Sequence, residues 1–152
     1  MKLYVKYLEN YNKEWGSLFS KEGDSGYDLR AAISEPITLA PGERKVVPNG
    51  IKTQLSSSIY GTDIEIQIRP RSGLAAKNGI TVVNAPGTVD YSYTGQLMTI
   101  LLNTSNEEFV INPGDRISQI VVCPIYKPKV VEVSEVGETD RGENGFGSSG
   151  VL

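Results

Sequence analysis

The chain has 152 residues, enough for one domain, and at that size folding buries about two-thirds of the unfolded surface. Hydrophobic residues make up 39% and charged residues 22%, and the net charge is −3, so broad binding to nucleic acid is not expected. The absence of histidine and the presence of one cysteine, Cys123, exclude Ser-His-Asp and Cys-His catalysis, zinc sites built on His or several Cys, and an internal disulfide.

A general base near neutral pH must then be Asp, Glu, Lys, Tyr or a terminus. No apolar run reaches the ~18 residues of a transmembrane helix, so no membrane partner is expected. The start, Met1 to Lys6, alternates and lacks the apolar stretch of a signal peptide. With a single thiol, this points to a reducing compartment: cytoplasmic, or nuclear or organellar if the source is eukaryotic.

In chain order, Leu3, Val5 and Tyr7 flank Tyr4 and Lys6 at the two-residue period of a half-buried strand. Ile51, Thr53 and Leu55 alternate with Lys52 and Gln54, and Ile64, Ile66 and Ile68 alternate with Glu65, Gln67 and Arg69. Residues 72–79 predict one short helix, with Ser72 near its start, an alanine-rich centre and Gly79 as its stop. The apolar runs Leu97 to Leu102 and Ile120 to Tyr126 predict strands buried on both faces. Turn signals at Pro41-Gly42, Pro48-Asn49-Gly50, Asn78-Gly79, Pro86-Gly87 and Asn112-Pro113-Gly114 separate these elements. The class is all-β: a sandwich, barrel or jelly roll. From Gly137 to Gly150 there are five glycines and one aromatic, Phe146. That stretch cannot fold alone; it is either a tail or a flexible arm that orders on a ligand.

Four segments could carry chemistry. In Arg69-Pro70-Arg71-Ser72-Gly73, two arginines end a strand and a helix opens. The guanidinium fork suits phosphate oxygens, and helix N-terminal amides attract anions; a solvated surface turn is the plainer alternative. In Asn84 to Gly95, Asp90 is either a base beside the aromatic wall of Tyr93 or the acceptor of a local Asx-turn. In Asn112 to Gln119, Asp115 and Arg116 fit a simple surface pair, and Gln119 is polar at the edge of an apolar strand. Arg141 to Gly150 has the composition of a phosphate-cradling loop but no Walker lysine. Cys123 and Trp15 are expected to be packing residues.

Together these segments resemble the trimeric dUTPase family. Five ordered motifs carry the resemblance: Gly26-Tyr27-Asp28-Leu29-Arg30-Ala31-Ala32; Pro70-Arg71-Ser72-Gly73-Leu74-Ala75; Gly87-Thr88-Val89-Asp90 with Tyr93 and Gly95; Gly114-Asp115-Arg116-Ile117-Ser118-Gln119; and Arg141-Gly142 with Gly145 to Gly150. The resemblance implies a jelly-roll-like β barrel with one short helix, assembled as a homotrimer. The match runs from Asp24 to Gly150 and implies a single domain, 1–152, whose residues 137–152 form a flexible Gly/Ser-rich arm. It implies that dUTP is hydrolysed to dUMP and pyrophosphate by water attack on the α-phosphorus, limiting uracil in DNA and supplying dUMP for dTMP synthesis. Mg2+ would be held by the substrate phosphates and water rather than by direct protein ligands. Each site would draw on all three chains, the fifth motif coming from a neighbour.

On matched positions, Asp90 would align and deprotonate the water and hold the deoxyribose 3′-hydroxyl. Tyr93 would lie beneath the deoxyribose and leave no room for a 2′-hydroxyl. Asn84 and the backbone of Val89 and Met98, within the hairpin that Gly87 and Thr88 open, would read uracil and reject cytosine; the tight hairpin would reject the thymine methyl group. Arg71, Ser72, Gly73 and Gln119 would hold phosphate oxygens, with Gln119 at the reacting centre. Arg141 would reach the γ-phosphate, Gly147, Ser148 and Ser149 would add donors, and Phe146 would cover the base. Asp28 would support the site, pairing with Arg71. The chain departs from the family pattern at Ser92, often Asp, and at Gln96, often Glu. A dCTP deaminase of the same fold and a non-enzymatic regulatory module are the alternatives.

Overall fold

The computed structural model describes residues 1–56 and 63–145. Ten strands and one short helix account for its regular structure, besides a 3-10 turn at Lys13–Trp15. In chain order the elements are β1 (Leu3–Tyr7), β2 (Tyr27–Arg30), β3 (Ile37–Leu39), β4 (Arg44–Leu55) and β5 (Asp63–Arg69). They continue with α1 (Ser72–Asn78), β6 (Ile80–Val82), β7 (Gly87–Val89), β8 (Gln96–Asn103), β9 (Phe109–Ile111) and β10 (Arg116–Ile125). One sheet runs β1-β4-β8-β6, a second β2-β10-β5-β7, and β3 pairs β9. All pairings are antiparallel. The fold is jelly-roll-like and mostly β, as the period-2 pattern requires.

That pattern sets the packing. Along β5, Ile64, Ile66 and Ile68 turn inward while Glu65, Gln67 and Arg69 face out. Their inner faces join Val47, Ile51, Leu97, Leu101, Ile117 and Ile120 from the other strands in one core. Each fully buried aliphatic side chain of this kind contributes about 1.5–3 kcal/mol.

The apolar runs are not buried on both faces. In β8 burial alternates, leaving Met98 39% exposed, and Tyr126 stands outside β10 at 94% exposure. In an antiparallel sandwich the outward side of a sheet faces solvent unless something covers it, and the described residues of this chain supply no cover here.

A buried polar bridge crosses the core. Asn49 of β4 donates to the Arg30 carbonyl at 3.0 Å, and Thr99 of β8 donates to Asn49 Oδ1 at 3.0 Å. Thr99 and Ser118 of β10 share a hydrogen bond of 2.7 Å. Asn49, Thr99 and Ser118 are fully buried, so these bonds link the two sheets where water cannot substitute.

Candidate active site

Two pockets contain most of the predicted residues. The first, about 240 Å³, lies beside the β7–β8 connection, which crosses from one sheet to the other and is not the expected hairpin, because β7 pairs with β5 while β8 pairs with β4 and β6. Asn84, Gly87, Thr88, Val89, Asp90, Tyr93 and Met98 line it, with Ile68, Val82, Leu97 and Gln96. Pairing of β5 with β7 places Gly87 opposite Ile68 and Val89 opposite Ile66. The β4–β8 pairing places Met98 opposite Pro48. A side chain at Gly87 would stand 3.2 Å from Asn84 Nδ2 and 3.4 Å from Ile68 Cβ; glycine there lets the Asn84 amide lie against the strand.

Asp90 begins the turn of this connection. Its backbone carbonyl accepts from Tyr93 N at 3.0 Å. The carboxylate has no hydrogen-bond partner among the described residues and is exposed, so it is not the acceptor of an Asx-turn. The Tyr93 hydroxyl donates to the Gln96 carbonyl at 3.0 Å, holding the ring back across the turn.

The second pocket, about 370 Å³, is polar. Asp28, Arg71, Ser72, Gly73 and Gln119 line it together with Lys21, Asp24, Gly26 and Arg116. Register explains the convergence: Gln119 of β10 stands opposite Asp28 of β2 on one side and Arg69 of β5 on the other. Asp28 accepts from Arg71 Nε at 2.9 Å and from Arg116 at 3.1 Å. Arg71 also donates to the Arg116 carbonyl at 3.0 Å. Both carboxylate oxygens are thus committed to guanidinium groups, which fixes the two forks in place. Gln119 donates to the Pro70 carbonyl at 3.0 Å, and a side chain at Gly26 would come within 2.6 Å of Gln119 Oε1. Ser72 is the first residue of α1, preceded by Arg71 as an extended N-cap.

Sequence reasoning missed Arg116, Lys21 and Gly26. The expected Asp115–Arg116 surface pair is not formed: Asp115 instead accepts from Asn112 N at 2.8 Å, and Arg116 turns to Asp28, 88 residues away. The signal was Arg116's place three residues before Gln119 on the strand that pairs with β2.

Arg141 lies in neither pocket. Its Nε donates to the Asn144 carbonyl at 3.0 Å in an exposed turn. Phe146, Gly147, Ser148 and Ser149 lie outside the described residues. Cys123 is half-buried on the outward face of β10, 3.2 Å from an Arg69 nitrogen. Trp15 packs edge-on against Tyr11 at 5.3 Å between ring centroids.

The predicted metal arrangement places no ligand on the protein. Among the described residues no three acidic or cysteine side chains converge to hold an ion, and the one carboxylate deep in the polar pocket, Asp28, is neutralised by two arginines. That pocket suits a phosphate chain better than a bare cation.

Residues 17–150 match the model of the dUTPase family. Over 130 residues the chain is 54% identical to the deoxyuridine 5'-triphosphate nucleotidohydrolase of Clostridium novyi, covering 86% of this chain and 87% of that one. To the enzyme of the same name from Neorickettsia sennetsu it is 50% identical over 132 residues, 87% and 85% of the two chains. Among solved structures, the Staphylococcus bacteriophage 80alpha dUTPase bound to dUPNHPP superposes with a TM-score of 0.80 at 26% identity, over 99% of both chains. A mutant dUTPase from phage phi11 of S. aureus, which coordinates a structural Mg(II) ion, shares the fold with a TM-score of 0.74 at 22% identity, over 91% of this chain and all of that one. A match that covers both pockets and runs nearly the length of the chain makes this protein a member of the dUTPase family.

Proposed function

We propose that the chain hydrolyses dUTP to dUMP and pyrophosphate, with Asp90 as the base. The observation that carries this reading is the Asp90 carboxylate, which sits at the rim of a base-sized pocket with no structural partner among the described residues. A cavity below the usual range of about 300–1,000 Å³ suits one aromatic ring rather than two, and its largely apolar walls with the amides of Asn84 and Gln96 suit uracil. Asn84, with the backbone of Val89 and Met98, reads the base edge; a mismatched base leaves those groups unpaired. Tyr93 lies under the sugar. In the reaction, a water oxygen bonds to the α-phosphorus as its proton passes to Asp90. The bond from that phosphorus to the β-bridging oxygen breaks, and pyrophosphate leaves. A carboxylate is a weak base, so alignment of the water supplies much of the rate. Arg71, Ser72, Gly73 and Gln119 bind the phosphates, and Asp28 holds Arg71 in place.

Arg71, Ser72, Gly73 and Gln119 line the pocket where the substrate phosphates would carry Mg2+, which would keep several of its waters in keeping with its reluctance to dehydrate. When bound, it neutralises charge that develops on the phosphoryl oxygens.

The working unit is a homotrimer in which different copies supply the two pockets. Register supports this. Gly87 pairs with Ile68; Asp90 lies three residues past Gly87, while Arg71 lies three residues past Ile68 in the opposite direction. Six steps at about 3.3 Å separate them by about 20 Å. One triphosphate cannot bridge that span while Arg71 stays paired with Asp28. The C-terminal segment points the same way. The chain leaves the sandwich after Ile125, and Tyr126, Val130, Val131, Val133 and Val136 are 58–94% exposed. Such an apolar stretch needs a surface to cover it, and a neighbouring copy is the natural one. It carries the Gly/Ser-rich arm 137–152, with Arg141 for the γ-phosphate and Phe146, Gly147, Ser148 and Ser149 to close the site.

Asp90→Asn tests the reading. Nucleotide binding is expected to be kept while turnover falls by at least about 100-fold, the scale of general-base loss. Surviving turnover would remove Asp90 as the base.

A further inference from the structure

We propose that Gly95 is a specificity-determining residue that acts through Tyr93: by carrying no side chain it seats the tyrosine ring that discriminates the sugar. This rests on the reading of Tyr93 as the surface beneath the deoxyribose.

The geometry is specific. A Cβ built on Gly95 would overlap the Tyr93 hydroxyl oxygen and Cζ, and would stand 2.9 Å from Cε2. Real Cβ atoms do not approach ring atoms so closely, so any side chain at 95 displaces the ring. The backbone itself does not ask for glycine. Gly95 is absent from the glycines with positive φ, so an L-residue can adopt its conformation without strain. The requirement comes from the ring alone.

Two contacts therefore hold Tyr93. Its hydroxyl donates to the Gln96 carbonyl at 3.0 Å, and its ring edge lies against the bare Gly95 backbone. The turn bond from Tyr93 N to the Asp90 carbonyl fixes the base of the side chain. Tyr93 and Gln96 line the base pocket, whereas Gly95 does not. Gly95 touches no proposed substrate position and can act only by placing the ring. Tyr93 is 46% exposed, so a pushed ring moves into solvent rather than into the core. The fold is expected to survive the change.

The consequence is selective. A ring swung away from its seat frees space beneath the sugar, where a 2′-hydroxyl would otherwise collide. It also loosens the grip on deoxyribose. Gly95→Ala should therefore lower kcat/KM for dUTP and raise the relative rate for UTP.

The experiment is a double-mutant cycle. Wild type, Gly95→Ala, Tyr93→Ala and the double variant are assayed for pyrophosphate release from dUTP and from UTP, with Tm measured for each. Gly95→Ala is expected to lower the dUTP-to-UTP ratio of kcat/KM by about 10- to 100-fold, the penalty of a positioning group misplaced by about an ångström, with Tm near wild type. In the Tyr93→Ala background the same change should do nothing further to the ratio. An unchanged ratio in Gly95→Ala, while Tyr93→Ala abolishes discrimination, would overturn the proposal and leave the sugar role of Tyr93 standing. Equal losses in both backgrounds would also overturn it, since the effect would then run through the backbone. An unchanged ratio in Tyr93→Ala would reject the sugar role itself, and the proposal with it.

Discussion

Thr99→Val removes one hydroxyl from the middle of the buried bridge and keeps the shape of the side chain. Thr99 is the only hydrogen-bond partner of both Asn49 Oδ1 and Ser118 Oγ among the described residues. All three side chains are fully buried, so water cannot take over. Each orphaned group costs about 1–3 kcal/mol. The added methyl returns up to about 0.8 kcal/mol of burial. The net loss is then about 1–5 kcal/mol, a sizeable share of the roughly 5–15 kcal/mol that holds a domain together. Adding Ser118→Ala removes one of the two orphans, so the double variant should be no less stable than Thr99→Val alone, to within about 0.5 kcal/mol. Urea unfolding at one fixed protein concentration measures both, because association shifts the midpoint of a self-assembling chain. A loss below about 0.5 kcal/mol for Thr99→Val would refute the claim that the bridge is dry and fully paired. The bridge also bears on the site: Thr99 sits between Met98 and Ile100 of the base pocket, and Ser118 precedes Gln119 of the polar pocket.

Gly26→Ala should push the Gln119 amide from its place, since the new Cβ would stand 2.6 Å from Oε1 and 3.2 Å from the Ile120 carbonyl. A kcat reduced by about 10- to 100-fold with a folded protein is expected; a wild-type kcat would show that Gln119 has no such fixed role. Subunit mixing tests the shared site. Asp90→Asn and Arg71→Ala proteins, each inactive, should regain activity when co-assembled in equal amounts, because roughly a quarter of random interfaces pair an intact Asp90 with an intact Arg71. No recovery would place both residues in one chain's site.

The strands long enough to show alternation were legible in the sequence. β1, β4 and β5 carry three or more inward apolar positions each, and the short helix was bounded by Ser72 and Gly79. β3, β6, β7 and β9 have three residues each, too few to set a period apart from a turn. Burial on both faces of β8 and β10 was overestimated, because apolar content does not say whether a face is covered within one chain or by another. Arg116 was misassigned for a related reason. Its sequence neighbour Asp115 offered an obvious partner, and only the β2–β10 register reveals Asp28 instead. The grouping of Asn84, Asp90, Tyr93 and Met98 in one pocket was legible because one short stretch of chain carries them, although that stretch crosses between the sheets and is not the expected hairpin. Separation of that pocket from Arg71 was not, since it depends on which residues of β5 and β7 face each other.

Pyrophosphate release from dUTP, dCTP, dTTP, dATP, dGTP and UTP, each with and without Mg2+, tests the function most directly. Rapid release from dUTP alone, strongly dependent on Mg2+, is the expected result. Ammonia release from dCTP without pyrophosphate release from dUTP, or no turnover of any of the six, would contradict it.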